Sequence, residues 1–294
     1  MKSNRAAKLE ESPLKRNNYV LILQLACFAI FAGRAWQHWF WDGPYRAVLW
    51  DEGLLKGFME GVLGMDWTNY VTNPKTDQSI QFLTRSIGFI FSLSALSVFL
   101  VYSKYSKYAK FMLGIGTFFI MILAFLSYKD RFFQLGEWLE FGIQFFSPII
   151  LLMFLSGKFK HQTLVFIGSF AVAITFIGHG FYAFGFYAQP GNYVDMVINI
   201  FGWPEDNVRI ILRVAGFLDF IVALLLFVPE VSRYALIYCI IWGTLTALAR
   251  LTAGFDMDFA LSTLNQWTFE TVYRLAHGLL PLWLFLTTQK ESIR

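Results

Sequence analysis

Charge is scarce in this sequence: Asp, Glu, Lys and Arg make up only 15% of its 294 residues. A soluble domain of that length needs far more polar surface, so a water-soluble globule is excluded. Cysteine is scarcer still, and Cys27 and Cys239 both lie inside apolar runs far apart in the chain. Without a C-x-x-C, a thiol–disulfide relay of the usual kind is excluded and both thiols read as packing residues. No P-loop, G-x-S-x-G or dinucleotide fingerprint is present. No E-x-x-H pair or thiolate cluster offers a zinc or di-iron site, so no metal is expected. The formal charge of +4 comes from basic residues flanking apolar segments. They form no array interleaved with base-stacking aromatics, so nucleic acid is not an expected partner.

Apolar and aromatic residues are abundant. The chain is 56% hydrophobic, with 33 Phe and 10 Trp, which suits lipid-facing helices and interfacial belts. The expected class is all-α, a polytopic membrane helix bundle whose first partner is the lipid bilayer. A span needs about 20 mostly apolar residues. On that measure about eight transmembrane helices are expected, near 19–38, 80–102, 111–128, 134–155, 162–186, 208–228, 234–252 and 268–287.

The first eighteen residues are polar and carry Lys2, Arg5, Lys8, Lys15 and Arg16. The apolar run that follows has no small-residue cleavage site, so it reads as an uncleaved first helix. The short connections carrying Lys104, Lys107 and Lys110, then Lys158 and Lys160, then Arg233 fall on the same side as this tail. The positive-inside rule places that side, and both termini, in the cytoplasm. The opposite connections are long and rich in Trp, Tyr and Gly. Residues 39–79 hold YRAVLWDEGLLKGFMEGVL and residues 187–207 hold a second amphipathic piece closed by Pro204. Both read as interfacial helices on the outer side, as anchors or as lids.

One stretch, TFETVYRLAHGLLPLWLFL (268–286), is apolar enough to span yet carries Glu270, Arg274 and His277 on one helical face. EWLEFGIQFFSPIILLMFL (137–155) repeats the pattern. Aligning Pro148 with Pro281 puts Glu137 on Glu270 and Gln144 on His277. Elsewhere Arg85 falls on Arg213, Gly88 on Gly216, Phe89 on Phe217 and Arg34 on His179. Further on, Tyr108 falls on Tyr234 and Gly116 on Gly243. These pairs keep their order, so two parallel four-helix repeats are expected, 19–155 and 156–287, between cytoplasmic tails at 1–18 and 288–294.

A four-span unit with an arginine ending its first helix and R-x-x-G opening its second resembles the DoxX-like membrane family. Arg34, Arg85 with Gly88, and Arg213 with Gly216 carry the resemblance. It implies four-helix proteins of the bacterial inner membrane, some linked to sulfur or quinone redox chemistry. The long first lid and the doubling depart from the simplest family pattern.

The intramembrane charges crowd the outer third. At helical rise, His179 lies roughly 10 Å and His277 roughly 13 Å from the outer end of their spans. Arg34, Arg85, Arg213, Glu137, Glu140, Arg250, Glu270 and Arg274 share that layer, and Asp219 is deepest. Some have a plain explanation. Arg209 and Arg250 read as snorkelling, Glu270 and Arg274 as a pair on one helix, and His38 and His161 as solvated near the interfaces. The rest is either glue between helices or a pocket. As a pocket, His179, Arg213, Glu270, Arg274 and His277, extended by Tyr182, Tyr273 and Asp219, suit a small anionic or quinone-like ligand. Arg34, Arg85, Glu137 and Gln144 read as a degenerate copy. Paired histidines raise haem, but such histidines are more often hydrogen-bonded polar residues, so haem is not expected. Three functions stay open: a redox or quinone-associated protein, a small-anion transporter, and a non-catalytic scaffold with a membrane-protein partner or an oligomer.

Overall fold

A computed structural model describes residues 13–288, with side chains from Tyr19 onward. Every element among the described residues is a helix. α1 (Pro13–Phe40) is followed by three short helices, α2 (Arg46–Leu49), α3 (Glu52–Gly61) and α4 (Trp67–Thr72). Two long helices come next, α5 (Pro74–Leu100) and α6 (Ser106–Asp130), then α7 (Leu135–Glu140) and α8 (Gly142–Ser156). The second half runs α9 (His161–Phe184), α10 (Gly191–Phe201), α11 (Glu205–Leu225), α12 (Ser232–Gly254), α13 (Ala260–Arg274) and α14 (Ala276–Thr288). Of the two expected tails, residues 13–18 belong to α1 and Thr288 to α14, and the rest lies outside the described residues.

Among the described residues, six stretches are long and apolar enough to cross a membrane: Tyr19–Phe40, Pro74–Leu100, Ser106–Asp130, Leu135–Ser156, His161–Phe184 and Ser232–Gly254. The chain is therefore a multi-pass membrane protein. Its exterior agrees, because Phe82, Phe111, Phe118 and Phe125 on α5 and α6 are each more than half exposed, a surface that suits lipid rather than water. The other two expected spans fall short for physical reasons. α11 carries Arg209, Arg213 and Asp219 within its 21 residues. Span 268–287 breaks between α13 and α14 at Leu275.

The stretches 134–155 and 268–287 are interrupted alike. Phe141 separates α7 from α8 and Leu275 separates α13 from α14, each ahead of an internal proline, Pro148 or Pro281. At the first break Thr175 of α9 accepts the Ile143 backbone N–H at 2.9 Å, so a buried donor freed by the break is paired. Packing around the breaks has a common pattern. α1 packs on α5, α13 and α14, while α9 packs on α11, α7 and α8. Glycines set both crossings. A Cβ on Gly33 would stand 2.7 Å from the Tyr273 nitrogen and 2.8 Å from the Phe269 oxygen. On Gly178 it would stand 2.8 Å from both the Glu140 nitrogen and the Gly136 oxygen. Gly88 and Gly216 likewise press α5 against α1 and α11 against α9.

The long connection forms a tied cap over one end. The expected single amphipathic helix is broken at Trp50 and Asp51, because Asp51 caps α3 by accepting from the Leu54 N–H at 2.9 Å. The same carboxylate binds Lys129 of α6. Arg46 joins Asp42 to Asp77 of α5. The second connection folds as α10, which starts after Pro190 and stops at Gly202, where φ is +67°, a conformation glycine adopts without strain.

Candidate functional site

Beneath α10 lies a cavity of about 450 Å³ walled by α9, α10, α11, α12 and the α13–α14 junction. Most of its wall is apolar, including Phe176, Leu212, Ala215, Trp242 and Leu245. Its titratable groups are His179, Tyr193, Asp219, Arg250, Arg274 and His277.

The break at Leu275 sets the geometry of the polar end. It leaves the Arg274 carbonyl free of a regular helical partner, and His277 Nδ1 lies 2.7 Å from it. A carbonyl only accepts, so Nδ1 carries the proton and Nε2 presents a lone pair. That Nε2 is buried and has no hydrogen-bond partner among the described residues, and His277 is only 3% exposed. Arg274 Nε, a donor from the same turn, is equally buried and unpartnered. Tyr182 Oη and Thr271 Oγ1 are also buried without a partner, but only Arg274 and His277 line the cavity. Buried polar atoms are almost always paired, so an open acceptor and an open donor on two wall residues mark a place for a ligand.

The remaining charges are balanced. Glu140 of α7 lies 3.0 Å from His179 Nδ1 and 3.4 Å from Arg274. Glu270 lies 2.9 Å from Arg250. Tyr193 of α10 donates to Glu140 at 3.1 Å, and the same hydroxyl is 3.3 Å from His179 Nδ1. Burial, with the Glu140 carboxylate beside it, pushes the Tyr193 phenol well above its ordinary pKa, so it stays a donor. The His179 and His277 rings lie 5.4 Å apart, centroid to centroid. Deeper in the wall, Asp219 accepts from the Tyr238 hydroxyl at 3.0 Å.

The structure thus gathers His179, Arg274, His277 and Asp219 at the cavity, with Glu270 behind Arg250. Arg213 and Arg85 are exposed and stand outside it. Both lie one turn from a close helix crossing, Gly216 or Gly88, and their side chains leave the packed face. Tyr182 is buried, but its ring faces Tyr187, 5.3 Å away, not the cavity. Arg250 is not snorkelling: it is 3% exposed and pairs across helices. Glu270 and Arg274 do not pair with each other, since each has a closer carboxylate or guanidinium on another helix. His38 is 1% exposed rather than solvated, held between the Arg34 carbonyl at 2.6 Å and the Tyr45 hydroxyl at 2.7 Å. Glu140, Tyr193 and Trp242 were missed as site residues. Membership of the outer charge layer was the only signal for Glu140, and aromatic richness of the lid the only one for Tyr193.

Of the residues expected to form a degenerate copy, Arg34 and Gln144 are tied to each other and Arg34 to aromatic rings. Arg34 Nε donates to Gln144 Oε1 at 2.9 Å and Nη1 to Gln37 Oε1 at 2.7 Å. The guanidinium is sandwiched by Tyr273 and Phe141, 3.9 and 4.7 Å from its carbon. Glu137 is half-buried on α7. Phe31 and Phe91, both fully buried, stack with centroids 6.4 Å apart. Comparison with protein families, with curated proteins and with solved structures returns no match to this chain.

Proposed function

We propose that this membrane protein binds a small lipid-soluble molecule with a neutral polar head in the cavity beneath α10, and that among redox-active ligands a quinol suits it best. The observation that carries this reading is the open acceptor His277 Nε2 and the open donor Arg274 Nε, both on residues that line the cavity. A hydroxyl satisfies both, donating to the imidazole and accepting from the guanidinium. The charge count argues against a small anion. Arg274 and Arg250 already face Glu140 and Glu270, so the site has no surplus positive charge to offer.

The reading places the chain as two parallel four-helix copies of DoxX-like type. Matched contacts support the duplication. In the register that pairs Pro148 with Pro281, Gly136 and Glu140 fall on Phe269 and Tyr273. Those two pairs are the backbone partners of Gly178 and Gly33. The register that pairs Arg34 with His179 also pairs Gly33 with Gly178. The basic connections lie at the end away from the lids, which supports a cytoplasmic face there and lids on the exterior of a bacterial inner membrane.

The test is calorimetric titration of detergent-purified protein with decylhydroquinone. His277→Gln should weaken binding about tenfold or more, one lost hydrogen bond to a buried group. Equal affinity in the variant overturns the reading. A second reading, a non-catalytic scaffold, draws on the bridges Arg250–Glu270 and Arg274–Glu140, which tie α12 to α13 and α13 to α7. It wins if the purified protein binds no quinol and yields no lipophilic molecule on solvent extraction.

A further inference from the structure

The cavity is closed above and open at its side. α10 is pinned across its top at three places. Gln189, just ahead of it, donates to the Ala183 carbonyl at 2.7 Å and the Arg209 carbonyl at 3.3 Å. Tyr193 reaches Glu140 at 3.1 Å, and Asn199 reaches the Ala253 carbonyl at 3.2 Å. A water-soluble ligand arriving from the aqueous side meets this roof.

The side is different. In the first half α5 and α6 pack closely, with Ser94 Oγ reaching the Met112 carbonyl at 3.1 Å and Gly116 lying against Ser94. In the second half α11 and α12 touch only sparsely. Leu212, Ala215 and Asp219 of α11 face the cavity from one side, and Leu245, Leu248 and Thr252 of α12 from the other. Several of the wall residues are also surface residues: Leu245 is 54% exposed, Leu248 43%, Ile200 40% and Phe201 57%. Residues that line a cavity and also face the outside mark its mouth. Here the mouth is apolar and lies on α12, a membrane-spanning helix, and on the interfacial helix α10.

We infer that the ligand is an amphiphile of the bilayer leaflet next to the lids, which slides between α11 and α12 beneath α10 and leaves its apolar tail in that opening. This rests on the binding reading above. The polar end meets the head and the apolar mouth meets the tail. The tail stays in an apolar setting throughout, so no step exposes it to water. A ligand without a tail would leave the mouth to lipid chains.

The experiment uses the full chain in phospholipid nanodiscs with a hydroquinone whose farnesyl-length tail carries a diazirine. After photolysis, label should concentrate on peptides holding Ile200, Phe201, Leu245 and Leu248, about tenfold above the lipid-facing Phe118 of α6. Ala249→Trp should remove that label by filling the mouth. Leu245→Trp, at a more exposed position, provides a second block if Ala249→Trp does not fold. Label spread evenly over the outer helices, or untouched by either substitution, overturns lateral access. The two readings fail separately. Label on α10 and α12 that palmitic acid displaces and tail-less hydroquinone does not keeps lateral access and overturns the quinol head. Calorimetric binding of tail-less hydroquinone with scattered label keeps the head and overturns lateral access.

Discussion

Arg34 and Gln144 are joined at 2.9 Å between α1 and α8, and the proposed sequence registers align them with His179 and His277, whose rings lie 5.4 Å apart between α9 and α14. The partner brought from the other half corresponds too: Tyr273 lies under Arg34 and Glu140 lies beside His179. On the proposed duplication, the aligned positions form a polar knot in one half and line a cavity in the other. Arg34→Leu should remove the Gln144 donor and leave a buried amide oxygen unpaired, destabilising by about 2 kcal/mol. Arg34→Lys should recover only part, because an ammonium has no planar fork to serve Gln144 and Gln37 together. Unfolding by SDS titration checks both, and equal midpoints for wild type and Arg34→Leu would sink the knot.

The glycine crossings make a paired prediction. Gly33→Ala and Gly178→Ala each place a methyl under 3 Å from helix backbone, and backbone cannot step aside as a side chain can. Each should destabilise by about 1–3 kcal/mol, and to a similar degree. Gly114 is the control: nothing lies within 4 Å of its added Cβ, and it sits inside α6. Gly114→Ala should stabilise by about 0.5–1 kcal/mol through the unfolded chain and helix propensity. The same SDS titration separates the three.

The sequence made the membrane class and the helical character of its apolar stretches legible, because each is a matter of composition or spacing. Pairing across helices was not legible. Glu270 and Arg274 stand one turn apart and invite a local bridge, yet each turns to a different helix. That choice is made by the break at Leu275 and by the approach of α7 and α12, neither of which has a period to read. Arg213 misled for the converse reason. Its place beside Gly216 matched Arg85 beside Gly88, but a conserved spacing within the chain says nothing of which way the side chain leaves the helix.

Among the described residues, Glu140 is the one carboxylate that forms an ion pair with Arg274, 3.4 Å away. Glu140→Gln should cost about 3–5 kcal/mol, since it strands a buried guanidinium. Arg274→Gln made in addition should recover much of that loss, because the stranded charge goes with it. A double-mutant cycle on the two positions should return a coupling above about 1 kcal/mol. Additive losses would mean that the two groups do not act on each other.

Asp219 takes the place that Phe91 takes in the first half, when Gly88 is set on Gly216. Phe91 packs against Phe31, whereas Asp219 lines the cavity. Asp219→Phe should close the cavity. Burying the ring contributes about 2 kcal/mol, which offsets the loss of the Tyr238 hydrogen bond, about 1 kcal/mol. The expected result is an unchanged or raised unfolding midpoint together with lost decylhydroquinone binding. Binding that survives in a folded variant would show that the ligand does not use this space.

The lid over the first half has a pH dependence that follows from Asp51. Its pairing with Lys129, helped by the Leu54 N–H, holds the carboxyl below the usual aspartate range. A depressed pKa in the folded chain means that the tie is fully present above the unfolded value, about 3.9, and is lost as pH falls through the folded one. Hydrogen exchange of the α3 amides, corrected for intrinsic rate, should show protection that is level from neutral pH down to about 4 and falls below it. Asp51→Asn keeps an N-cap of nearly equal strength but loses the ion pair. It should show the reduced protection at neutral pH and no further change on acidification. Full protection of α3 in that variant would assign the lid's attachment to its apolar face alone.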